Sequence, residues 1–255
     1  ADAIEELRRE GYAYREQAVL CTGNEKLSTI GHDLERLGVP VLFLGSLFER
    51  AEVKDLLALL SVLVDRRAMG LVRIACWPEF TSSFADVATI FEHLRAGEHT
   101  PGSWLQQVDT IPGVSDAGRQ ALSRLAVALN GFDHTALPWT ALASLLLDRT
   151  RIAARLGTSA DLAHRTRGIA IWQFLNFVRV QPAGRGLPIT RLLNRVRRLV
   201  RLGDDRDLRQ LPAAAQHLDA VRLMTIHGAK GLEFGGVHIP GLNSDTIPRT
   251  PPAPP

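Results

Sequence analysis

The segment of this 255-residue chain best equipped for chemistry is residues 221–234. Residue types typical of a β-strand run over 221–226 and return over 237–239, so the residues between them are predicted to form a loop joining two strands. Such loops often carry ligand-binding groups, and small residues let a ligand approach the backbone closely. This loop combines a hydroxyl, an imidazole, an ammonium group and a carboxylate with glycines, namely Thr225, His227, Gly228, Lys230, Gly231 and Glu233.

Two strings in the sequence resemble one protein family. Residues 225–234 read T-I-H-G-A-K-G-L-E-F, which resembles motif V (T-x-H-x-A-K-G-L-E-F) of the UvrD/Rep/PcrA-like superfamily 1 DNA helicases. An ordinary strand–turn–strand is the alternative interpretation. Residues 45–60 resemble the same family where a glycine-containing strand end leads into F-x-R-x-E-[VI]-K-D and a long helix. The matching residues there are Gly45, Phe48, Arg50, Glu52, Val53, Lys54 and Asp55.

The fold predicted from this resemblance and from the order of elements is α/β. A RecA-like parallel-sheet subdomain, called 2A in the family, would be interrupted by a mostly α-helical insertion, called 2B. Strands at 17–21 and 41–44, separated by a helix at 26–37, predict a parallel βαβ unit. Further helices are predicted at 2–10, 48–65, 83–95, 115–129, 140–156, 169–180 and 190–202. The family layout assigns 1–69 to the first part of 2A, 70–215 to 2B, and 216–255 to the second part of 2A, truncated before motif VI.

Composition says more about the cellular compartment of the protein than about its activity. The net charge of +3 is too small to nominate a nucleic-acid partner by itself. No apolar run approaches the roughly 18–20 residues of a membrane span, and no signal peptide is visible, so we expect a cytoplasmic protein without membrane contact. Cys21 and Cys76 stand in apolar contexts without C-x-x-C spacing, which favours buried, reduced thiols over a disulfide or a zinc site.

The sequence contains neither the phosphate-binding string G-x-x-x-x-G-K-[ST] nor the acidic Mg²⁺ ligand that accompanies it. The arginines that the family carries before 2A and in motif VI are also absent. We therefore expect a fragment of an ATP-dependent 3′–5′ DNA helicase or translocase, inactive alone, with no catalytic residue, no metal ligand and no bound cofactor. The full-length enzyme would use ATP and Mg²⁺ once the missing N-terminal RecA-like lobe of the parent chain completes the site.

The resemblance also implies roles for individual loop residues. Glu233, with Gly231, would hydrogen-bond the ATP ribose across the cleft between the two lobes. Thr225, His227 and Lys230 would contact the phosphate backbone of single-stranded or junction DNA, as expected in a DNA repair helicase. A carboxylate accepts hydrogen bonds from hydroxyls, whereas hydroxyl, imidazole and ammonium groups can donate to phosphate oxygens. For each residue the alternative is a capped loop or a solvated charge.

A second candidate for DNA contact is the segment 190–202, where apolar residues fall on one helical face and arginines on the other. Arg191, Arg195 and Arg198 are the candidate phosphate ligands, and a solvated helix face is the alternative. The rival interpretation of the whole chain is a non-catalytic module that docks protein or DNA through the helical insertion. An exposed apolar groove within 70–215 would favour that rival.

Residues 111–115, Ile-Pro-Gly-Val-Ser, faintly resemble a helix–hairpin–helix turn, whose backbone N–H groups would face phosphate. Serine stands where the second glycine belongs, so a plain turn is the favoured interpretation.

Overall fold

The computed structural model describes residues 1–42, 47–182, 184–202 and 218–241. The chain divides by packing into two compact units, Ala1–Gly45 with Gln210–Pro255, and Ser46–Arg209. The predicted α/β class is confirmed, with a four-stranded parallel sheet and many helices. The 2A and 2B limits at 69 and 215 come from the family layout, and they stay a prediction. Gly45 and the predicted strand end at 43–44 lie outside the described residues.

The first unit holds the sheet. Its strands follow the order β2-β3-β1-β4, and all neighbouring pairs are parallel. The predicted βαβ unit is therefore present, but a strand from the far end of the chain lies between its two strands. The elements are α1 (Asp2–Arg9), a 3₁₀ turn (Tyr14–Glu16), β1 (Gln17–Cys21), α2 (Asn24–Arg36), β2 (Val41–Leu42), β3 (Val221–Thr225) and β4 (Gly236–His238).

Apolar side chains of β1, β2 and β3 form the core of this unit together with those of α1 and α2. β1 is buried along almost its whole length, as expected for a central strand of a parallel sheet. α2 packs against the sheet through Leu27, Ile30 and Leu34, whose spacing places them on one helical face. Ile4 of α1 joins the same core.

A buried polar contact ties the edge strand β4 to β1. The Gln17 amide is fully buried, donates to the carbonyl of Ile4 at 3.3 Å, and lies with its oxygen 3.0 Å from Nε2 of His238. Burial lowers the pKa of His238. Because the Gln17 amide oxygen can only accept, Nε2 of His238 is the donor in this contact, and both ends of the buried Gln17 amide are hydrogen-bonded.

The second unit is helical. None of the described helices is long and apolar enough to cross a membrane. Its α-helices are α3 (Ala51–Val62), α4 (Leu71–Ile74), α5 (Phe84–Ala96), α6 (Asp116–Leu129), α7 (Pro138–Ala143), α8 (Ile152–Thr158), α9 (Leu162–Arg179) and α10 (Pro188–Leu202), with 3₁₀ turns at Leu47–Glu49 and Ser103–Thr110 and a π-helical turn at Ser144–Arg149.

Two of the sequence predictions for this unit were wrong. The stretch 140–156 is not one helix, because Thr150 adopts an extended backbone and closes the π-helical turn by donating from Oγ1 to the carbonyl of Leu145 at 2.7 Å. Cys76 is exposed rather than buried, because it follows the short helix α4 and lies outside the apolar core. Cys21 is buried as predicted, and its burial raises the pKa of the thiol.

The family-like segment at 48–55 anchors α3 within the helical unit. Phe48 and Val53 are fully buried, and the Phe48 ring meets the edge of Phe177 with centroids 5.1 Å apart. The charged residues of the segment form ion pairs rather than projecting freely. These pairs are Lys54 with Glu49 at 2.6 Å, Asp55 with Arg73 at 2.6 Å, and Arg50 with Glu52.

A buried carboxylate joins the N-termini of α5 and α6. Asp86 is 4% exposed and accepts hydrogen bonds from Oγ of Ser83 at 2.7 Å and from the backbone N–H of Ser115 at 2.7 Å. The Oγ of Ser115 donates to the same carboxylate at 3.0 Å. A Cβ on Gly118 would lie 2.5 Å from the Asp86 carboxyl carbon, so a larger residue would displace it. The Ser115 N–H is thus engaged within the protein, which supports a plain turn at 111–115.

Replacing Asp86 by Ala is expected to lower the free energy of unfolding by about 1–3 kcal/mol, because buried donors would lose their acceptor. Urea denaturation followed by circular dichroism measures the change. Glu92→Ala on the exposed face of the same helix removes an equal charge and serves as the control. Equal midpoints for the two variants would contradict the role assigned to Asp86.

The Asp86 contribution should also depend on pH. Burial pushes the pKa of Asp86 up, but the hydrogen bonds from Ser83 and Ser115 outweigh it and hold the pKa below its usual range. Because the folded pKa lies below the unfolded value of about 3.9, the stabilisation is complete above that value and is lost as the pH falls through the folded pKa. The stability difference between wild type and Asp86→Asn, measured from pH 7 to pH 3, should therefore shrink below about pH 4.

Candidate nucleotide and nucleic-acid interface

The loop at 226–235 lies at the carboxyl edge of the two central strands. In the sheet register Cys21, the last residue of β1, is the partner of Thr225, the last residue of β3. The N–H of Ile226 donates to the carbonyl of Cys21 at 3.0 Å, so the pairing continues one residue into the loop. The carboxyl edge of a parallel sheet is the usual location of ligand sites in α/β proteins.

The start of the loop is held by one side chain. Oγ1 of Thr225 accepts a hydrogen bond from the N–H of Gly228 at 3.0 Å, and the Thr225 carbonyl accepts from Ala229 at 3.0 Å. A Cβ on Gly228 would lie 3.1 Å from the same Oγ1, so the turn is closed tightly around it. Gly231 has a φ of +83°, a left-handed conformation that glycine adopts without strain. A larger residue is therefore opposed by lack of space at Gly228 and by backbone conformation at Gly231.

The side chains predicted to bind ligands project from this loop. His227, Lys230 and Glu233 are exposed, and Thr225 is half-buried at the base. Within the described part of the chain, the three exposed side chains form no hydrogen bond or ion pair. The structure thus brings these residues onto one short, ordered segment and leaves their functional groups accessible to solvent.

The arginines predicted from residues 190–202 belong to the other compact unit. α10 buries Ile189, Leu192, Leu193 and Val196, which leaves Arg195 and Arg198 exposed on the opposite side. Arg191 is partly engaged already, because its Nη1 donates to the carbonyls of Gly184 and, at 2.9 Å, Gly186. These three arginines and the 226–235 loop are therefore separate candidate contact surfaces.

Two residues that were not among the predicted site residues lie beside these arginines. Arg179, at the end of α9, and Trp139, in the first turn of α7, line the same cavity as Arg195 and Arg198. They come from parts of the chain that are far apart in sequence. No local pattern links them, so the sequence offered no signal for the grouping.

A parallel sheet with a polar loop at the carboxyl edge of its central strands, and a helical unit inserted between β2 and β3, defines a RecA-like α/β domain with a helical insertion. The chain belongs to the UvrD-like helicase C-terminal domain family, whose model matches residues 1–93 and 186–251, more than half of the chain.

Individual relatives carry helicase names. The chain is 25% identical to the ATP-dependent DNA helicase PcrA of Bacillus subtilis (strain 168), over 91% of this chain and 32% of that protein. It is 26% identical to the ATP-dependent DNA helicase Rep of Escherichia coli (strain K12), over 92% of this chain and 36% of that protein. The chain thus spans about a third of the length of these relatives.

The cap at Thr225 can be tested by an isosteric change. Thr225→Val removes the acceptor for the Gly228 N–H and is expected to destabilise the loop by about 1 kcal/mol, as loss of a typical hydrogen bond does. Hydrogen exchange at the Gly228 amide should accelerate about fivefold. Thr225→Ser keeps the hydroxyl and should retain wild-type protection. Unchanged exchange in the valine variant would contradict the cap.

Proposed function

We propose that this chain is part of an ATP-dependent 3′–5′ DNA helicase or translocase of the UvrD-like family, working in the cytoplasm. It would supply half of the ATP cleft and part of the track for single-stranded DNA. The observation that carries the proposal is the loop after β3, which matches motif V of the family. It exposes His227, Lys230 and Glu233 at the carboxyl edge of the sheet without bonding them to the described chain. The relatives named above are ATP-dependent DNA helicases.

The DNA-contacting face of the loop consists of Thr225, His227 and Lys230. The Thr225 oxygen accepts from Gly228, so its own hydroxyl hydrogen is available for a phosphate oxygen. The imidazole and the ammonium group can donate to further phosphate oxygens of a single strand or of the single-stranded arm of a junction. Contacts of this kind fix the position of the strand without recognising its sequence, as a translocating enzyme requires.

The ATP-binding face consists of Glu233 and Gly231. A carboxylate accepts hydrogen bonds from the two ribose hydroxyls, and the left-handed Gly231 turns the backbone just before it. Among the described residues no three His, Cys, Asp or Glu side chains are grouped to hold a metal ion. In this proposal the phosphate and Mg²⁺ contacts come from the N-terminal RecA-like lobe, and the present chain supplies the ribose contact.

Because both contacts lie on one loop, ATP binding at Glu233 is mechanically coupled to DNA contact at His227. Glu233 and His227 are six positions apart on a segment held by backbone hydrogen bonds to Thr225 and to Cys21. When the two lobes close on ATP and move Glu233, the DNA-contacting residues move with it. Repeated closing and opening would shift the bound strand relative to the sheet.

The DNA-binding face predicts a salt-dependent affinity. Lys230→Ala should weaken binding of fluorescent oligothymidylate to the 255-residue chain and reduce the slope of log K against log salt by about 0.7, the value for one phosphate contact. His227→Ala should weaken binding about three- to tenfold. Arg36→Ala changes one exposed charge at the end of α2, away from the loop edge, and should leave binding unchanged. Wild-type affinity in both loop variants would refute the DNA face.

A second prediction concerns catalysis. The chain alone, with Mg²⁺, ATP and oligothymidylate, should show no ATP hydrolysis, because the phosphate-binding string is absent from its sequence. When a UvrD-like N-terminal lobe is fused to it and activity is restored, Glu233→Ala should raise the KM for ATP and leave DNA affinity unchanged. DNA-stimulated turnover by the isolated chain would overturn this part of the proposal.

A further inference from the structure

A charged concavity of the described helical unit lies along α10. A cavity of about 1230 Å³ is bounded by the end of α9, the connection that follows it and one face of α10. No Asp or Glu is among the described residues that line it. The charged residues among this described lining are arginines, namely Arg179, Arg191, Arg195, Arg197, Arg198 and Arg201. We call this cavity the arginine groove.

The arginines are held close together by the fold. α10 is fixed through its buried apolar face, and Arg191, Arg195 and Arg198 follow one another at helical spacing. Like charges at that spacing repel each other, and the repulsion disfavours the helix unless an anion lies nearby. Within the described part of the chain, the guanidinium groups of Arg195 and Arg198 form no ion pair. The groove therefore concentrates positive charge that no described acid neutralises.

Arg191 is hydrogen-bonded to the protein backbone at the edge of the groove. Arg191 donates to the carbonyls of Gly184 and Gly186, so it ties the connection between α9 and α10 to the helix. Arg179 approaches from α9, so that charges from two helices face one cavity.

The other wall of the arginine groove is apolar. Trp139 is half-buried, so part of its ring faces the cavity, and Leu137 is 61% exposed beside it. A planar aromatic surface beside arginines is suited to a ligand that carries both phosphates and flat bases. The outside of a duplex presents only phosphates and sugars and would leave this wall uncovered, whereas unpaired bases would cover it.

We propose that the arginine groove binds a single strand of nucleic acid, with Arg195, Arg198 and Arg179 on successive phosphates and a base stacked on Trp139. This contact lies on the helical unit and is distinct from the loop at 226–235. It goes beyond the proposed function, because it requires neither ATP nor a second lobe.

The groove is tested by a paired substitution in the 255-residue chain. Arg195→Ala with Arg198→Ala should weaken oligothymidylate binding about tenfold or more and reduce the salt slope by about 1.4, corresponding to two single-strand phosphate contacts. Arg66→Ala with Arg67→Ala removes the same charge from exposed positions that do not line the groove, and should preserve affinity and slope. Circular dichroism of each variant verifies folding. Arg195→Lys with Arg198→Lys keeps both charges and should recover most of the slope.

Trp139 distinguishes a single strand from a duplex. Oligothymidylate should quench tryptophan emission of the wild type, and Trp139→Phe should lose that component while the other three tryptophans remain. Trp139→Leu should weaken single-strand binding about fivefold or more and leave duplex binding unchanged. Duplex that binds as tightly as single strand, with no effect of Trp139, would overturn the assignment.

The proposals for the groove and for the loop can be refuted independently of each other. Loss of affinity in the arginine pair with no effect of either His227→Ala or Lys230→Ala would support the groove and refute the proposed loop contact. A wild-type affinity and slope in the arginine pair, or an equal loss in the Arg66 and Arg67 control, would refute the groove whatever the loop variants show.

Discussion

The parallel pairing of β3 with β1 is the constraint on which the rest of the structure depends. These strands lie about two hundred positions apart in sequence, yet Cys21 and Thr225 are register partners and Ile226 extends the pairing. The entropy lost on closing a long loop grows only with the logarithm of its length, so a whole helical unit can be inserted between β2 and β3. The register fixes where the strand ends and therefore where its polar loop begins.

That loop combines two physical requirements that usually conflict. Ligand-binding groups must be exposed and unbonded, but they must also be held in place before the ligand arrives. Here the backbone of the loop is ordered by the hydrogen bond from Gly228 to Thr225, by the close contact between these two residues, and by the left-handed conformation of Gly231. Within the described part of the chain, the side chains of His227 and Glu233 form no hydrogen bond or ion pair, so they are available for the proposed ligands. In the arginine groove the binding groups are also exposed, and they are held in place by the buried apolar face of α10.

Local patterns in the sequence predicted most elements correctly, because burial of β1, α2 and α10 follows the spacing of their own apolar residues. The position of the loop between two strands was also predicted from one continuous string. Features that depend on distant segments were not predictable in this way. Local patterns gave no sign that β3 lies between β1 and β2, that Arg179 and Trp139 share a cavity with α10, or that Gly118 is required by Asp86. Exposure of Cys76 was missed because apolar neighbours in sequence do not guarantee burial.

The central claim, that the loop at the carboxyl edge of the sheet receives a nucleic-acid strand, is tested most directly by a nuclear magnetic resonance titration of the isotope-labelled chain with oligothymidylate. The account predicts that the amides of His227, Gly228 and Lys230 and the imidazole of His227 shift progressively, and that added salt reverses the shifts. Saturating binding that leaves every one of these resonances in place would contradict it.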